Sequence, residues 1–184
     1  MLVTTCAVGG AGAVAAAVPF AASFSPSEKA LAAGAPVEVD LSDIAPGDMK
    51  KVEWRGKPVW VLHRTPEMIE SIKKTDDRVA DPESKRKEYP TPDYAKNELR
   101  SIKPEYFIAV GICSHLGCSP QGPLPAHSVG PLGDDMGFLC PCHGSTFDLA
   151  GRVFRNKPAP DNLEVPPHKY LSETTVLIGD DSKA

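Results

Sequence analysis

The chain has no surplus of positive charge. Its 184 residues include 20 Lys and Arg against 24 Asp and Glu, so the formal net charge is −4. A protein that binds nucleic acid needs a basic surface that displaces counterions from the phosphates. The charge balance therefore argues against nucleic acid as a partner, and an acidity this weak identifies no other partner by itself.

The first 27 residues lack charged side chains altogether, and the first one along the chain is Glu28. Residues 1–24 are rich in Ala, Gly and Val. About 20 apolar residues span a bilayer as a helix, whereas the apolar core of a cleaved signal peptide is shorter and follows a basic region. We interpret residues 1–24 as a retained transmembrane anchor, with a cleaved signal peptide as the alternative. Residues 25–36 are predicted to form a flexible tether, since the part from Ala30 to Pro36 has mostly small side chains, no apolar periodicity and a terminal proline.

Patterns typical of long helices are scarce after the anchor. The chain contains 19 prolines, and its apolar residues occur in short alternating or continuous runs that favour strands. We predict a mainly antiparallel β domain over residues 37–184, with a helix from Pro66 to about Lys74 and an irregular surface insertion from Thr75 to Arg100. The predicted strands cover residues 37–41, a hairpin at 49–63, 105–112, 137–139, a hairpin at 146–154, 163–165 and 174–179.

Cysteine is rare, with five residues, and four of them lie in two short runs: Cys-Ser-His-Leu-Gly-Cys at 113–118 and Cys-Pro-Cys-His-Gly-Ser at 140–145. Each run offers one Cys and one His at loop spacing. Two thiolates and two imidazoles suit structural zinc or a [2Fe–2S] cluster in which two His replace two Cys on one iron. Cys118 and Cys142 are left over and are expected at equivalent places in the two loops. A bond between them would place the domain in an oxidising compartment.

Zinc is the simpler interpretation of two Cys and two His. It leaves Cys118 and Cys142 without a role, and the spacing differs from that of a zinc finger. An iron–sulfur cluster is therefore the favoured hypothesis, and a structural zinc protein is the alternative.

The two runs match the patterns C-[ST]-H-L-G-C and C-P-C-H-G-S, and in this the chain resembles the Rieske proteins. The similarity extends through the apolar N-terminus, the small residues that follow it, the insertion and residues 156–167. The chain is similar to the Rieske subunits of bacterial ubiquinol–cytochrome c reductase. The resemblance implies a Rieske-type β domain with a small cluster-binding subdomain, whose loops lie at about residues 111–150.

The resemblance also implies one [2Fe–2S] cluster per chain. Cys113 and Cys140 would bind one iron through their thiolates, and His115 and His143 would bind the other through their imidazoles. Two neutral ligands in place of two thiolates make the oxidised centre less negative, which raises its reduction potential. Reduction would then also raise the proton affinity of the imidazoles.

Further roles follow from the same resemblance. Ser145 would donate its hydroxyl to a cluster sulfur, Cys118 and Cys142 would form a disulfide, and His143, together with His115, would contact the quinol. High-potential members of the family commonly have Tyr two residues after this Ser, where this chain has Phe147. Losing a hydrogen bond worth about 1 kcal/mol would lower a one-electron potential by some tens of millivolts.

The function implied is electron transfer within ubiquinol–cytochrome c reductase. The chain would take one electron, with a proton, from ubiquinol on cytochrome b and pass it to a c-type cytochrome, thereby contributing to proton translocation. It would be a single-pass protein of the bacterial inner membrane with its domain on the periplasmic side, in a dimeric complex. One alternative is the small subunit of a periplasmic oxidoreductase such as arsenite oxidase. Another, a soluble Rieske ferredoxin or oxygenase component, would lack the anchor and the two extra cysteines.

Overall fold

A computed structural model describes residues 2–28, 32 and 34–182 of the chain. The chain divides into two compact units at residues 35 and 36. The first unit contains helix α1 (Leu2–Ala22), which has 21 residues and is about 32 Å long. Its segment Val3–Ala22 is long and apolar enough to cross a membrane. The predicted tether falls partly on residues 29–31 and 33, which lie outside the described residues.

In the second unit, the described residues 36–182 form nine strands in three antiparallel sheets. The strands are β1 (Val37–Asp40), β2 (Met49–Trp54), β3 (Lys57–His63), β4 (Tyr106–Val110), β5 (Gln121–Leu124), β6 (Gly137–Leu139), β7 (Thr146–Phe147), β8 (His168–Tyr170) and β9 (Thr175–Ile178). The first sheet has the order β1-β9-β8, the second β2-β3-β4 and the third β5-β6-β7. The mainly antiparallel β fold predicted from the sequence is confirmed.

The hairpin of β2 and β3 and the helix after it form where the sequence predicts them. Arg55 and Gly56 connect the strands with φ values of 51° and 70°, as a two-residue type I′ turn requires. Helix α2 (Pro66–Lys73) begins after Thr65, whose side chain accepts a hydrogen bond from the Met68 N–H. Pro66 occupies the first turn, where its missing N–H costs nothing.

The central sheet β2-β3-β4 packs on both of its faces. Because side chains alternate along a strand, Trp60, Leu62, Phe107 and Ala109 point into one hydrophobic cluster, which also contains the two buried cysteines. The intervening residues of β3 and β4 point into a second cluster with β1 and β9. The first cluster is therefore the apolar floor on which the cysteine-bearing loops are built.

The sequence-based description needs three corrections. Residues 163–165 form no strand, because their backbone hydrogen bonds go to single partners in different segments. Strands β5 and β8 were not predicted, since both are short. A proline lies within β5, and another directly precedes β8. The segment from Thr75 to Arg100 is irregular and largely at the surface, as predicted, but Val79, Ala95 and Arg100 anchor it in the interior, where they are fully buried.

Three buried arginines hold the turn at residues 148–152, directly after β7. Arg64 donates to the Leu149 carbonyl, Arg100 donates to the carbonyls of Ala150 and Gly151, and Arg152 donates to the Asp148 carboxylate. Burial lowers the pKa of Arg100 to about 10, so the guanidinium is still charged at neutral pH. The turn after the second cysteine run is thereby fixed to the base of the domain.

Candidate metal centre

The two cysteine runs fold into loops with the same backbone hydrogen bonds. In the first loop the Cys113 N–H donates to the Cys118 carbonyl at 2.7 Å, and the Gly117 N–H donates to the Cys113 carbonyl at 3.1 Å. Gly117, and Gly144 at the same place in the second loop, have positive φ values of 82° and 76°, a conformation that glycine adopts without strain. The second loop repeats both bonds, from the Cys140 N–H to the Ser145 carbonyl at 2.8 Å and from the Gly144 N–H to the Cys140 carbonyl at 3.0 Å.

This repeat shows that Cys118 and Cys142 do not hold equivalent places, contrary to the expectation from the sequence. When the loops are matched by their hydrogen bonds, Cys118 corresponds to Ser145 and Cys142 corresponds to His115. The two histidines are likewise offset by one position, so His143 corresponds to Leu116. Residue types alone align Cys118 with Cys142, whereas the backbone hydrogen bonds of residues 113–118 recur 27 positions later, at residues 140–145.

The thiols of Cys113 and Cys140 lie together beneath the loops. Their residues are 1% and 2% exposed, and the two side chains contact each other. Burial raises the pKa of the Cys113 thiol, and hydrogen bonds from the His115 N–H and the Ser145 hydroxyl act in the opposite direction. Both groups therefore favour the thiolate form of Cys113, which is the form that binds a metal.

The imidazoles lie at the outer end of the same loops. The rings of His115 and His143 have centroids 4.7 Å apart and are nearly perpendicular, at 88°. His115 is half-buried and His143 is exposed. Leu116 beside them has 72% of its surface exposed. The site therefore has an inner thiol end and an outer imidazole end.

Cys118 and Cys142 form a disulfide, with Cα atoms 6.6 Å apart. The sulfurs of Cys118, Cys140 and Cys142 all lie within 4.8 Å of one another. Since two of these sulfurs are bonded to each other, only Cys140 of this group is available as a thiolate. With Cys113 and the two imidazoles, the available donors are two Cys and two His. This set fits a [2Fe–2S] cluster with two thiolate and two imidazole ligands.

Residues 159–161 and the side chain of Tyr89 form hydrogen bonds to the two loops. The Ala159 N–H donates to Ser145 Oγ at 2.9 Å, and Ser114 Oγ donates to the Asp161 carbonyl at 2.6 Å. The Tyr89 hydroxyl donates to the Ser114 carbonyl at 3.2 Å. Sequence reasoning missed Tyr89, because nothing in its polar, proline-containing stretch marks the residue that reaches another loop.

Phe147 lies behind the second loop, in the hydrophobic floor. It is fully buried and pairs with Phe138 across β6 and β7. Gly137 lies against it so closely that an added Cβ would collide with the Phe147 carbonyl oxygen. The residue that departs from the high-potential pattern is thus tightly packed.

Comparisons with known proteins agree with this geometry. The Rieske [2Fe-2S] domain family matches residues 85–167. The ubiquinol-cytochrome c reductase iron-sulfur subunit of Allochromatium vinosum is 55% identical over 98% of this chain and 87% of its own length. This decides the family. The chain belongs to the Rieske iron–sulfur subunits of ubiquinol–cytochrome c reductase.

Other relatives share the same length of chain. The subunit of that name from Bradyrhizobium diazoefficiens is 41% identical over 97% of this chain and 92% of its own length. A solved chain described as "Hyperthermophilic respiratory Complex III" is 26% identical, with a TM-score of 0.48, and the match covers 96% of this chain and 98% of that one. As a member of the Rieske family, the chain carries a [2Fe–2S] cluster.

Proposed function

We propose that this chain is the electron-transfer subunit of a ubiquinol–cytochrome c reductase. It accepts one electron and a proton from ubiquinol bound on cytochrome b and delivers the electron to a c-type cytochrome. The relatives that are similar over nearly the whole chain carry this name. The observation that carries the proposal is the exposed imidazole of His143, adjacent to His115 and above two buried thiols.

The division between the two ends of the site supports these roles. Cys113 and Cys140 would hold one iron, shielded from water, and His115 and His143 would hold the other at the surface. When bound, the cluster supplies the one-electron acceptor. The exposed ring of His143 can accept the hydrogen bond of a quinol hydroxyl, and the exposed Leu116 adds an apolar contact that excludes water from it.

The remaining parts of the chain support a location at the membrane. The membrane anchor would comprise residues 1–24, which include helix α1. Residues 25–36 would form the tether, and residues 37–184 would form the mobile domain that carries the electron. The disulfide between Cys118 and Cys142 supports a periplasmic position, since such bonds persist outside the reducing cytoplasm. The complex around it would be a dimer in the bacterial inner membrane.

Purification of the membrane complex through a tag on this chain tests the proposal. We expect haems b and c to copurify, together with an electron paramagnetic resonance signal of a reduced Rieske cluster and ubiquinol-dependent reduction of cytochrome c. His143→Gln should abolish both the signal and the quinol oxidation. The control His127→Gln changes an exposed histidine outside the loops and should leave both unchanged. Copurification of a different oxidoreductase without b haem, or bound zinc in place of iron, would contradict the proposal.

A further inference from the structure

The indole of Trp60 contacts both of the segments that lead into the cysteine-bearing loops. Trp60 lies on β3, is 1% exposed and belongs to the hydrophobic cluster that contains Cys113 and Cys140. A Cβ added to Gly111 would collide with the Nε1 and Cε2 atoms of the indole. The ring of Phe138 has its centroid 5.0 Å from that of the indole, at an interplanar angle of 31°. One rigid, buried side chain therefore packs against both segments.

Gly111 and Phe138 hold the same place relative to the two ligands. Gly111 lies two positions before Cys113, and Phe138 lies two positions before Cys140. The two contact points are therefore 27 positions apart, which is the interval at which the backbone hydrogen bonds of the loops recur. A single ring thus packs against matching points of the two repeats, each of them two residues before a ligand.

We propose that Trp60 is a positioning residue that fixes the relative position of Cys113 and Cys140, and with it the geometry at the iron that the two thiolates bind. The proposal rests on the ligand roles of these cysteines in the function proposed above. Trp60 supplies no ligand atom and acts through its contacts with Gly111 and Phe138.

The packing around the indole explains how it can act on the ligands. Protein interiors are close-packed, so a change in a large core ring is felt by the backbone that touches it. A binding site needs its ligands held within about 0.5 Å of the working geometry by side chains that packing locks in place. Gly111 has no side chain that could yield, and Phe138 is fully buried and paired with Phe147. A smaller ring at position 60 therefore loosens the backbone that carries the ligands.

Trp54 provides a closely matched comparison within the same chain. It is 4% exposed and belongs to the other hydrophobic cluster, with β1 and β9. A Cβ added to Gly179 would collide with its indole, as a Cβ added to Gly111 would collide with that of Trp60. The Nε1 atoms of both tryptophans are buried and have no hydrogen-bond partner among the described residues. Changing either Trp to Phe removes the same atoms and the same unpaired N–H, and only the change at position 60 lies against the ligand segments.

The test compares Trp60→Phe with Trp54→Phe in the full chain within the membrane complex. The g-values and linewidths of the Rieske electron paramagnetic resonance signal report the geometry at the iron, and the rate at which a chelator removes iron reports how firmly the ligands hold it. For Trp60→Phe we expect shifted, broadened resonances and about a tenfold faster release of iron, equivalent to about 1.4 kcal/mol of barrier. Trp54→Phe should leave the signal and the release rate unchanged, although its midpoint of thermal unfolding should fall by a similar amount.

A second pair of variants tests the contact with Gly111 directly. Gly111→Ala places a methyl group against the indole, so it should shift or broaden the signal by displacing the ring or the backbone. In the background Trp60→Leu, which lacks the ring, the same methyl group should have a much smaller effect. Such non-additivity is expected of two residues that act through one contact.

Unchanged resonances in Trp60→Phe overturn the inference, and so does an equal change in Trp54→Phe. Full additivity of Gly111→Ala and Trp60→Leu also contradicts it. If Trp60→Phe holds no cluster while Trp54→Phe holds one, the resonances of Gly111→Ala decide, and an unchanged signal there overturns the inference. Absence of a Rieske signal from the unmodified chain would contradict the proposed function itself, and is thereby distinguished from these outcomes.

Discussion

The two cysteine-bearing loops have the same backbone hydrogen bonds but pack against different parts of the domain. The loop at residues 113–118 is held from outside by Tyr89 and Asp161, while the loop at residues 140–145 rests on the hydrophobic floor through β7 and on Ala159. This difference indicates that the shared backbone conformation sets the positions of the ligands, whereas the different surroundings adjust the stability of each loop and the electron affinity at its ligands. The predictions below test this separation of roles.

The largest effect is expected from removing the covalent link between the loops. The double variant Cys118→Ala/Cys142→Ala opens a cross-link between residues separated by 24 positions, which stabilises a folded chain by about 3 kcal/mol. Thermal loss of the cluster absorbance should occur about 6 to 12 °C lower than in the unmodified chain. Cys6→Ala, in helix α1, is the control, and an unchanged midpoint temperature in the double variant would show that the loops hold together without the bond.

The next effect separates two serines, one in each loop. The Ser145 hydroxyl lowers the pKa of the Cys113 thiol and thereby favours negative charge on that sulfur. Ser145→Ala should therefore lower the potential by about 60 to 130 mV, the equivalent of a hydrogen bond to a charged group. The Ser114 hydroxyl bonds to the backbone of Asp161, so Ser114→Ala should reduce stability with little change in potential. Redox titration of both variants checks this, and equal shifts in potential would contradict the separation of roles.

The two glycines test whether the loops have equal backbones. Gly117 and Gly144 have similar positive φ values and open space where a Cβ would lie. Each change to Ala should therefore cost about 1 to 2 kcal/mol of stability, from backbone strain alone. The two costs should agree within about 0.5 kcal/mol in thermal unfolding, and changes to Asn should cost less. A large difference between the two glycines would show that the loops are not equivalent.

The smallest effect concerns the floor beneath the second loop. Phe147→Tyr adds the hydroxyl that high-potential relatives have at this position, and a new hydrogen bond of about 1 kcal/mol would raise the potential by some tens of millivolts. Phe138→Tyr, on the neighbouring strand of the same floor, is the matched control for adding a buried hydroxyl. A redox titration that finds no upward shift in Phe147→Tyr would indicate that the packed floor keeps the hydroxyl from the ligand.

How much the sequence could predict depended on how local the signal was. The ligand loops, the β2–β3 hairpin and the helix start at Pro66 are encoded within a few residues, and their predicted positions agree with the structure. The burial of Arg100 could not be predicted, because the three carbonyls to which it donates, those of Ala150, Gly151 and Leu163, lie 50 to 63 positions away. The contact from Tyr89 to Ser114 spans 25 positions, and no periodic pattern marks it. The ligand roles themselves, implied by the resemblance to the Rieske proteins, stay predictions.

The unequal exposure of the two ends of the site has a consequence for turnover. The thiols of Cys113 and Cys140 are closed off by protein, and the surface at the outer end of the site includes the exposed His143 and Leu116 and the half-buried His115. A donor and an acceptor of electrons that both need close approach must use this same small area. The two occupancies therefore exclude each other, and each turnover includes one dissociation step whose rate sets an upper limit for the whole complex.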